Sequence, residues 1–551
     1  MKITKILMYL VAFVSLLTSC KGAMDEITNV DYPRAFSPIG LTVTLGTFDQ
    51  ATVTWKQIDS ARAYVVELSL GDSLKFNNIV ATYETESLSQ SLTGLWGETQ
   101  YSVRVQAKAF RDGQEDSKWY GVAFTTNAEQ IFYNVAIADI KTDQITVRWA
   151  PNSEVTNLVV SPDIGNIALT PDDIAAGMKT ITGLVPSTPY TISIYNDTQK
   201  RGTVQVTTKY RPYGPNVVEV STGDDLSAIT SDADNIGKII YLPEGFTYDI
   251  SSATGLLIAG NMTIYGDPDA TVKPTITLSS VSGGARVFQL PVSADTILFT
   301  NIDIIGPGSG AGTSVLDQDF SKPAEVITYL GAVKFENCDM SDFGRSLIRI
   351  RTAASGASIG LVSMDNCLCS NFGNNGGDNG AYAFFTLNTA SGGIDNIVVT
   401  NSTFQTQYHS FVNAPATSPN TSPAKNVLIQ NCTFNDIITG PTASTNRYFI
   451  DGNNNTGLTV TINNVILGKA GTGDPATTTA YDYRVGAGST VTVTDSYKTT
   501  DHTTVATADF TGVTLYNGTS TALWVDPVNL NFHFKDASFA GKATAGDPRW
   551  W

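Results

Sequence analysis

Basic charge is scarce in this 551-residue chain: 34 Lys and Arg stand against 51 Asp and Glu, a formal net charge of −17. Nucleic-acid binding needs a basic surface to meet the phosphates, so that class of partner is excluded. Long runs of Ala, Glu, Lys and Leu at helical period are also missing, which argues against a helical bundle. There are five cysteines, Cys20, Cys338, Cys367, Cys369 and Cys432, and their spacing fits neither a zinc site nor a small disulfide framework. After the first twenty residues no apolar run is long enough to span a bilayer. What the chain does have is 42% hydrophobic residues, 47 Gly, and abundant Ser, Thr and Asn, a mixture that favours strands and turns. Its length allows about three or four domains.

The amino terminus, MKITKILMYLVAFVSLLTSC, has a basic start followed by an apolar core of signal-peptide length. It ends in Leu17-Thr18-Ser19-Cys20, which resembles the lipobox of bacterial lipoproteins. That resemblance implies removal of residues 1–19 and acylation of Cys20, with 20–36 as a tether. Two or three acyl chains make a stable anchor, since each buried methylene contributes about 0.8 kcal/mol. The expected membrane contact is through this lipid alone.

Residues 37–127 alternate at period two between turns. Val53 and Trp55 share one face, as do Tyr64, Val66 and Leu68, and Tyr101, Val103 and Val105. This is the signature of an antiparallel β-sandwich. The stretch Leu95-Trp96-Gly97-Glu98-Thr99-Gln100-Tyr101 resembles the fibronectin type III corner L-x-P-x-T-x-Y, with Gly97 in the Pro position. Residues 128–210 repeat the pattern, with Trp149 and a complete corner at Leu184-Val185-Pro186-Ser187-Thr188-Pro189-Tyr190. Both tryptophans are expected in cores, and the modules are expected to act as spacers.

From 215 to 500 the motif apolar-x-apolar-x-Asn-small-x-apolar recurs, at Asn301, Asn337, Asn366, Asn401, Asn431 and Asn464. A repeat near thirty residues with strand-like alternation predicts a parallel β-helix, one coil per repeat. Asn tolerates the left-handed backbone of a bend between strands, and stacked amides can hydrogen-bond along the coil. The residues after each Asn are Ile302, Cys338, Cys367, Ser402, Cys432 and Val465, which reads as an interior column. Those thiols, with Cys369, are therefore expected to be core rather than metal ligands. Residues 501–551 are expected to cap the coil's open end, where unpaired strand edges invite further pairing.

The fold class is thus all-β: two fibronectin type III-like sandwiches and then a parallel β-helix solenoid. The lipoprotein start, the Asn-Cys coils and the GDPRWW ending together resemble Bacteroidetes surface lipoproteins with fibronectin modules and a pectate-lyase-like right-handed β-helix. The resemblance implies a place on the cell outer membrane facing the exterior and a role in polysaccharide utilisation. It also implies an outer-membrane glycan transporter complex as partner.

The strands SLIRIRTA, AFFTLNTA, HSFVNAPA and RYFIDGNN form the third part of successive coils. Taking Ile350, Leu387, Val412 and Ile450 as one interior row sends alternate residues outward. The outward rows are then Arg351–Asn388–Asn413–Asp451, Arg349–Thr386–Phe411–Phe449 and Leu347–Phe384–His409–Arg447. Rings stack on sugars, amides bond hydroxyls and Arg forks hold uronate carboxylates. The glycan-binding candidates are accordingly Arg349, Arg351, Asn388, His409, Phe411, Asn413, Arg447 and Asp451. Asp378, in the loop NFGNNGGDNGAY, is a candidate Ca²⁺ ligand, although no carboxylate cluster accompanies it. A lyase would need a base for the C5 proton and cations on the carboxylate, roles open to Arg349, Arg351, Arg447 or His409. A hydrolase would want paired carboxylates, and Asp451 is the only one in the strip. Capture of an acidic, pectin-like polysaccharide is favoured, with a uronate lyase and an adhesive or structural protein as alternatives.

Overall fold

The computed structural model describes residues 32–551 apart from 60, 72–73, 163, 309, 320, 323–324, 352–357, 376–381, 389–392, 417–421, 440–446 and 472–479. Cys20, the leader and most of the tether lie outside the described residues, as does Asp378. The chain divides into two compact units at Thr208/Lys209.

The first unit holds both sandwiches. In the first sandwich the strands Thr42–Leu45, Gln50–Thr54 and Ser89–Thr93 face a four-stranded sheet. That sheet runs Ile79–Thr85, Ala61–Leu70, Gln100–Ala109, Tyr120–Thr125, and all its pairs are antiparallel. The alternating residues converge as expected: Val53, Trp55, Tyr64, Val66, Leu68, Tyr101, Val103 and Val105 form one core. The second sandwich repeats this around Trp149, Ile145, Val147 and Tyr190. Both corners close as the motif predicts. Trp96 donates its backbone N–H to the Tyr101 hydroxyl at 3.0 Å, and Val185 donates to Tyr190 at 2.9 Å. Gly97 replaces Pro for a local reason: a Cβ there would stand 2.8 Å from the Glu129 nitrogen at the start of the next module.

The second unit is a parallel β-solenoid. Its strands cycle through three sheets, with ten, ten and eight strands among the described residues. The first sheet runs from Val217–Glu219 to Thr490–Thr494, the second from Thr247–Ile250 to Val513–Leu515, and the third from Leu256–Leu257 to Ala480–Val485. Every pairing between them is parallel, for example Phe299↔Phe335↔Met364↔Val399↔Ile429↔Ile462. All of these side chains are buried, so each coil adds one layer to a continuous core. At the amino-terminal end the helix Leu226–Ser231 inserts Leu226 and Thr230 against the first coil.

The asparagine column behaves as its chemistry requires. Asn301, Asn337, Asn366, Asn401, Asn431 and Asn464 all have φ between 49° and 55°, and Asp495 continues the column at 49°. Side-chain amides link Asn337 to Asn301, Asn366 to Asn337 (3.2 Å), Asn431 to Asn401 (3.0 Å) and Asn464 to Asn431 (3.1 Å). The ladder breaks once, where the Asn401 amide donates to Asp365 instead. The following residues, three cysteines among them, are fully buried, and burial pushes the Cys367 thiol up to about 12. Such thiols stay protonated and inert.

The carboxyl-terminal segment does more than extend the coil. Val513–Leu515 adds a strand beside Ser496–Lys498. Leu523, Trp524, Phe532, Phe539 and Ala545 then make a small core on Ile466. The final residues fold back along the flank, across the asparagine turns. Gly546 N–H donates to the Asn464 carbonyl, and Asp547 accepts from the Thr403 hydroxyl at 2.8 Å. Trp550 Nε1 donates to that same hydroxyl at 2.7 Å, and Arg549 Nη2 donates to both oxygens of Asn366.

Candidate functional site

The third sheet carries most of the candidate residues, but its register differs from the expected one. Ile350 does pair with Leu387, yet Val412 pairs with Phe385 and Asn413 with Thr386. Downstream, Val412 pairs with Ile450 and Asn413 with Asp451. The true row is therefore Asp317–Arg349–Thr386–Asn413–Asp451–Arg484, in which Asp317, Thr386 and Asp451 are buried. A two-residue slip keeps every side chain on its own face, so alternation alone is blind to it.

Three further expectations fail on burial, independently of that slip. Phe411 is not outward: it is buried and stacks on Phe384 and Phe449, with ring centroids 5.3 Å apart in each case. The strand at this level is only Val412–Asn413, so Phe411 sits in the preceding corner, where the interior column of rings captures it. His409 is also in that corner and is only 8% exposed. Burial, aided by Arg447, holds its pKa down to about 3. At neutral pH it carries no charge, and it is covered. Arg447 is likewise buried and turns Nη1 to the Tyr408 carbonyl at 3.2 Å.

The remaining candidates do face outward or line the row. Asp451 is engaged by Arg484 through two bonds of 2.7 and 2.8 Å, and the Arg484 guanidinium lies over the Tyr448 ring at 4.3 Å. Asn413 is partly exposed, and its Oδ1 is buried with no partner among the described residues. Asn388 pairs with Arg351 through its backbone, and its side chain lies outside the described residues.

Arg349 and Arg351 anchor the site. Both reach Asp317, at 3.4 and 3.0 Å, and Arg351 also reaches Asp319 at 3.4 Å. Asp317 is completely buried beneath them. Its strand end is fixed by a deeper pair, Arg286 with Glu325 at 2.7 Å. Arg286 also donates to the Asp317 carbonyl, while Glu325 accepts from the Asp319 N–H at 2.8 Å. Although burial opposes it, Arg286 and these donors hold the Glu325 carboxyl at about 2.

Two further residues escaped sequence reasoning. Tyr382 lies beneath two guanidinium groups, Arg345 at 4.6 Å and Arg349 at 4.9 Å from its ring centroid. Arg345 has no carboxylate within ion-pair distance among the described residues. Burial, with Arg349 and Arg351 nearby, lowers its pKa from the usual guanidinium value. Glycines give it room: a Cβ on Gly312 would stand 2.9 Å from Arg345 Nη2. A signal for the acidic half was present. SVLDQD follows Asn301 as SLIRIRTA follows Asn337, so extending the repeat one coil back would have set Asp317 beside Arg349. Arg345 and Tyr382 lie in corners, outside the strand pattern.

Among the described residues no group of three or more His, Cys, Asp or Glu side chains is placed to hold a metal ion. What the arrangement can do is hold an anion at a cluster of guanidinium forks and offer amide and hydroxyl groups beyond it.

Comparison with known proteins adds little to this. A family described as a domain of unknown function, DUF5123, matches residues 427–550, the last coils and the carboxyl-terminal segment. No curated protein matches the sequence. The sandwiches are similar to a two fibronectin type III domain segment of chicken tenascin, with 17% identity over 32% of this chain and 99% of that one, TM-score 0.21. They are also similar to the FN5 domain of Drosophila Lar, with 20% identity over 17% of this chain and 98% of that one, TM-score 0.15.

Proposed function

We propose that this chain is a lipid-anchored surface protein that captures acidic polysaccharide on the outer face of the third sheet. The sandwiches serve as a stalk and the solenoid as the presenting surface. The observation that carries the proposal is the convergence of Arg345 and Arg349 on the Tyr382 ring, with Arg351 sharing the Asp317 carboxylate with Arg349. Arg forks suit carboxylates, and the amide and hydroxyl groups of the following coils suit sugar hydroxyls. The lipobox-like Cys20 supports display at the outer membrane, where a glycan transporter complex is the natural partner.

A second reading is favoured by the placement of Arg345 against the Tyr382 ring with no carboxylate partner among the described residues, a position suited to the base of a β-elimination from a uronate. The test separates the two. Purified residues 21–551 are run in affinity gels containing uronic or neutral polysaccharides, with and without Ca²⁺, while absorbance reports new double bonds. Capture predicts retardation by uronic polysaccharide without absorbance, weakened by Arg349→Ala. New absorbance would make the site a lyase. No retardation and no absorbance would leave an adhesive or structural protein.

A further inference from the structure

We infer that the captured polysaccharide is sparsely anionic, with a single uronate carboxylate seated at Arg345 and uncharged sugars lying over the coils that follow. This rests on the capture proposal and names what is captured. Charge along this face is unevenly matched. Arg349 and Arg351 are matched by Asp317 and Asp319, both buried, so that coil pair is neutral as a unit. Arg345 is held by an aromatic ring rather than a carboxylate. A ring orients a cation without cancelling its charge, so the fork keeps its attraction for an anion.

Beyond Arg345 the face changes character. The next two coils present Tyr382, then Asn413; Thr386 is buried and hydrogen-bonded to Ser346, and His409 is uncharged and covered. Arg447 is turned inward to a carbonyl. Two coils on from Thr386 stands Asp451, closed in a two-bond pair by Arg484. From the Arg349 coil to the Arg484 coil is four steps of about 4.8 Å, roughly 19 Å. A chain with a carboxylate on every sugar would set several of them over Asn413 and the internally neutralised Asp451–Arg484 pair. Each would lose hydration without gaining an unmatched cation. A chain with one carboxylate among neutral sugars avoids that cost and uses the hydrogen-bonding groups instead.

The test uses residues 21–551 with three glycans of matched length: fully de-esterified polygalacturonate, a highly methyl-esterified pectin with few free carboxylates, and a neutral galactan. Affinity is measured by titration calorimetry at low and high salt. The expected result is at least tenfold tighter binding to the esterified pectin than to either of the others. Its salt dependence should be shallow, as a single ion pair requires. Arg345→Ala should reduce esterified-pectin binding to the galactan level and Arg345→Lys should restore part of it, while thermal melts of both variants match the parent. Equal or tighter binding to polygalacturonate would overturn this inference and leave capture standing. Unchanged affinity in a folded Arg345→Ala variant would also overturn it. Absence of binding to all three glycans would overturn both.

Discussion

Asp303 offers a test of how this solenoid tolerates charge on its second sheet. It pairs in register with Asp339 on the next coil, and its Oδ1 is buried with no partner among the described residues. The nearby Lys273 ammonium contacts Asp339 at 3.1 Å. Burial, with the Asp339 charge adding to it, pushes the Asp303 carboxyl from 3.8 up to about 6. The folded chain therefore holds this proton more tightly than the unfolded chain does. The group's contribution to stability is fullest below pH 4 and is lost as pH rises through 6. A displacement of about two pH units corresponds to roughly 3 kcal/mol. Because the side chain is partly solvated, screening reduces this to about 1–2 kcal/mol. Asp303→Asn keeps the shape and removes the charge. It should stabilise the solenoid by about 1–2 kcal/mol at pH 7.5 and leave it nearly unchanged at pH 4. Urea unfolding followed by tryptophan fluorescence at both pH values measures the two differences. An Asn variant no more stable than the parent at pH 7.5, or equally stabilised at both pH values, would refute the reasoning.

Other perturbations test other layers. Asn401 has φ 49° and its amide donates to Asp365 at 2.8 Å; Asn401→Ala should cost about 2–4 kcal/mol, and Asn401→Gly should recover the backbone share in a thermal melt. Tyr190→Phe strands the Val185 N–H that its hydroxyl now accepts, and should lower sandwich stability by about 1–3 kcal/mol by calorimetry. Thr403→Val removes the hydroxyl shared by Asp547 and Trp550 and should free the final residues, seen as faster carboxypeptidase digestion of the folded protein. With His409 held at about 3, its ring is neutral throughout pH 5–8, so His409→Gln should leave the pH profile of glycan retention unmoved over that range.

The features legible in the sequence are those that repeat in every coil or every module. Asn at a left-handed bend, a small residue behind it and a Tyr closing a sandwich corner are each demanded by one local geometry, so their spacing alone locates them. The third sheet was harder because its strands shrink to as little as Val412–Asn413, too short for alternation to set a register. The column Phe384–Phe411–Phe449 decides that register through ring packing across coils, which no single strand displays. Arg345 and Tyr382 meet only because neighbouring corners superpose, so their partnership is written in coil height rather than in residue order. The engagement of Asp451 by Arg484 depends on the third strand of the Asn464 coil, Ala480–Val485, one coil beyond the four strands aligned from the sequence.

The clasp at the flank makes the solenoid a ruler. Within six residues the chain terminus touches Asn464, Thr403 and Asn366, and the last of these lies 183 positions before its partner Arg549. Those anchor points are separated by whole coils, each roughly 4.8 Å high. Duplicating or deleting a coil between Asn366 and Asn464 would move one anchor by a full step, and six residues have no slack to follow it. Coils before Asn366 bear no such constraint. Descendants of this architecture can therefore lengthen or shorten upstream of Asn366 at little cost, whereas the stretch from Asn366 to Asn464 must be inherited with its coil number intact.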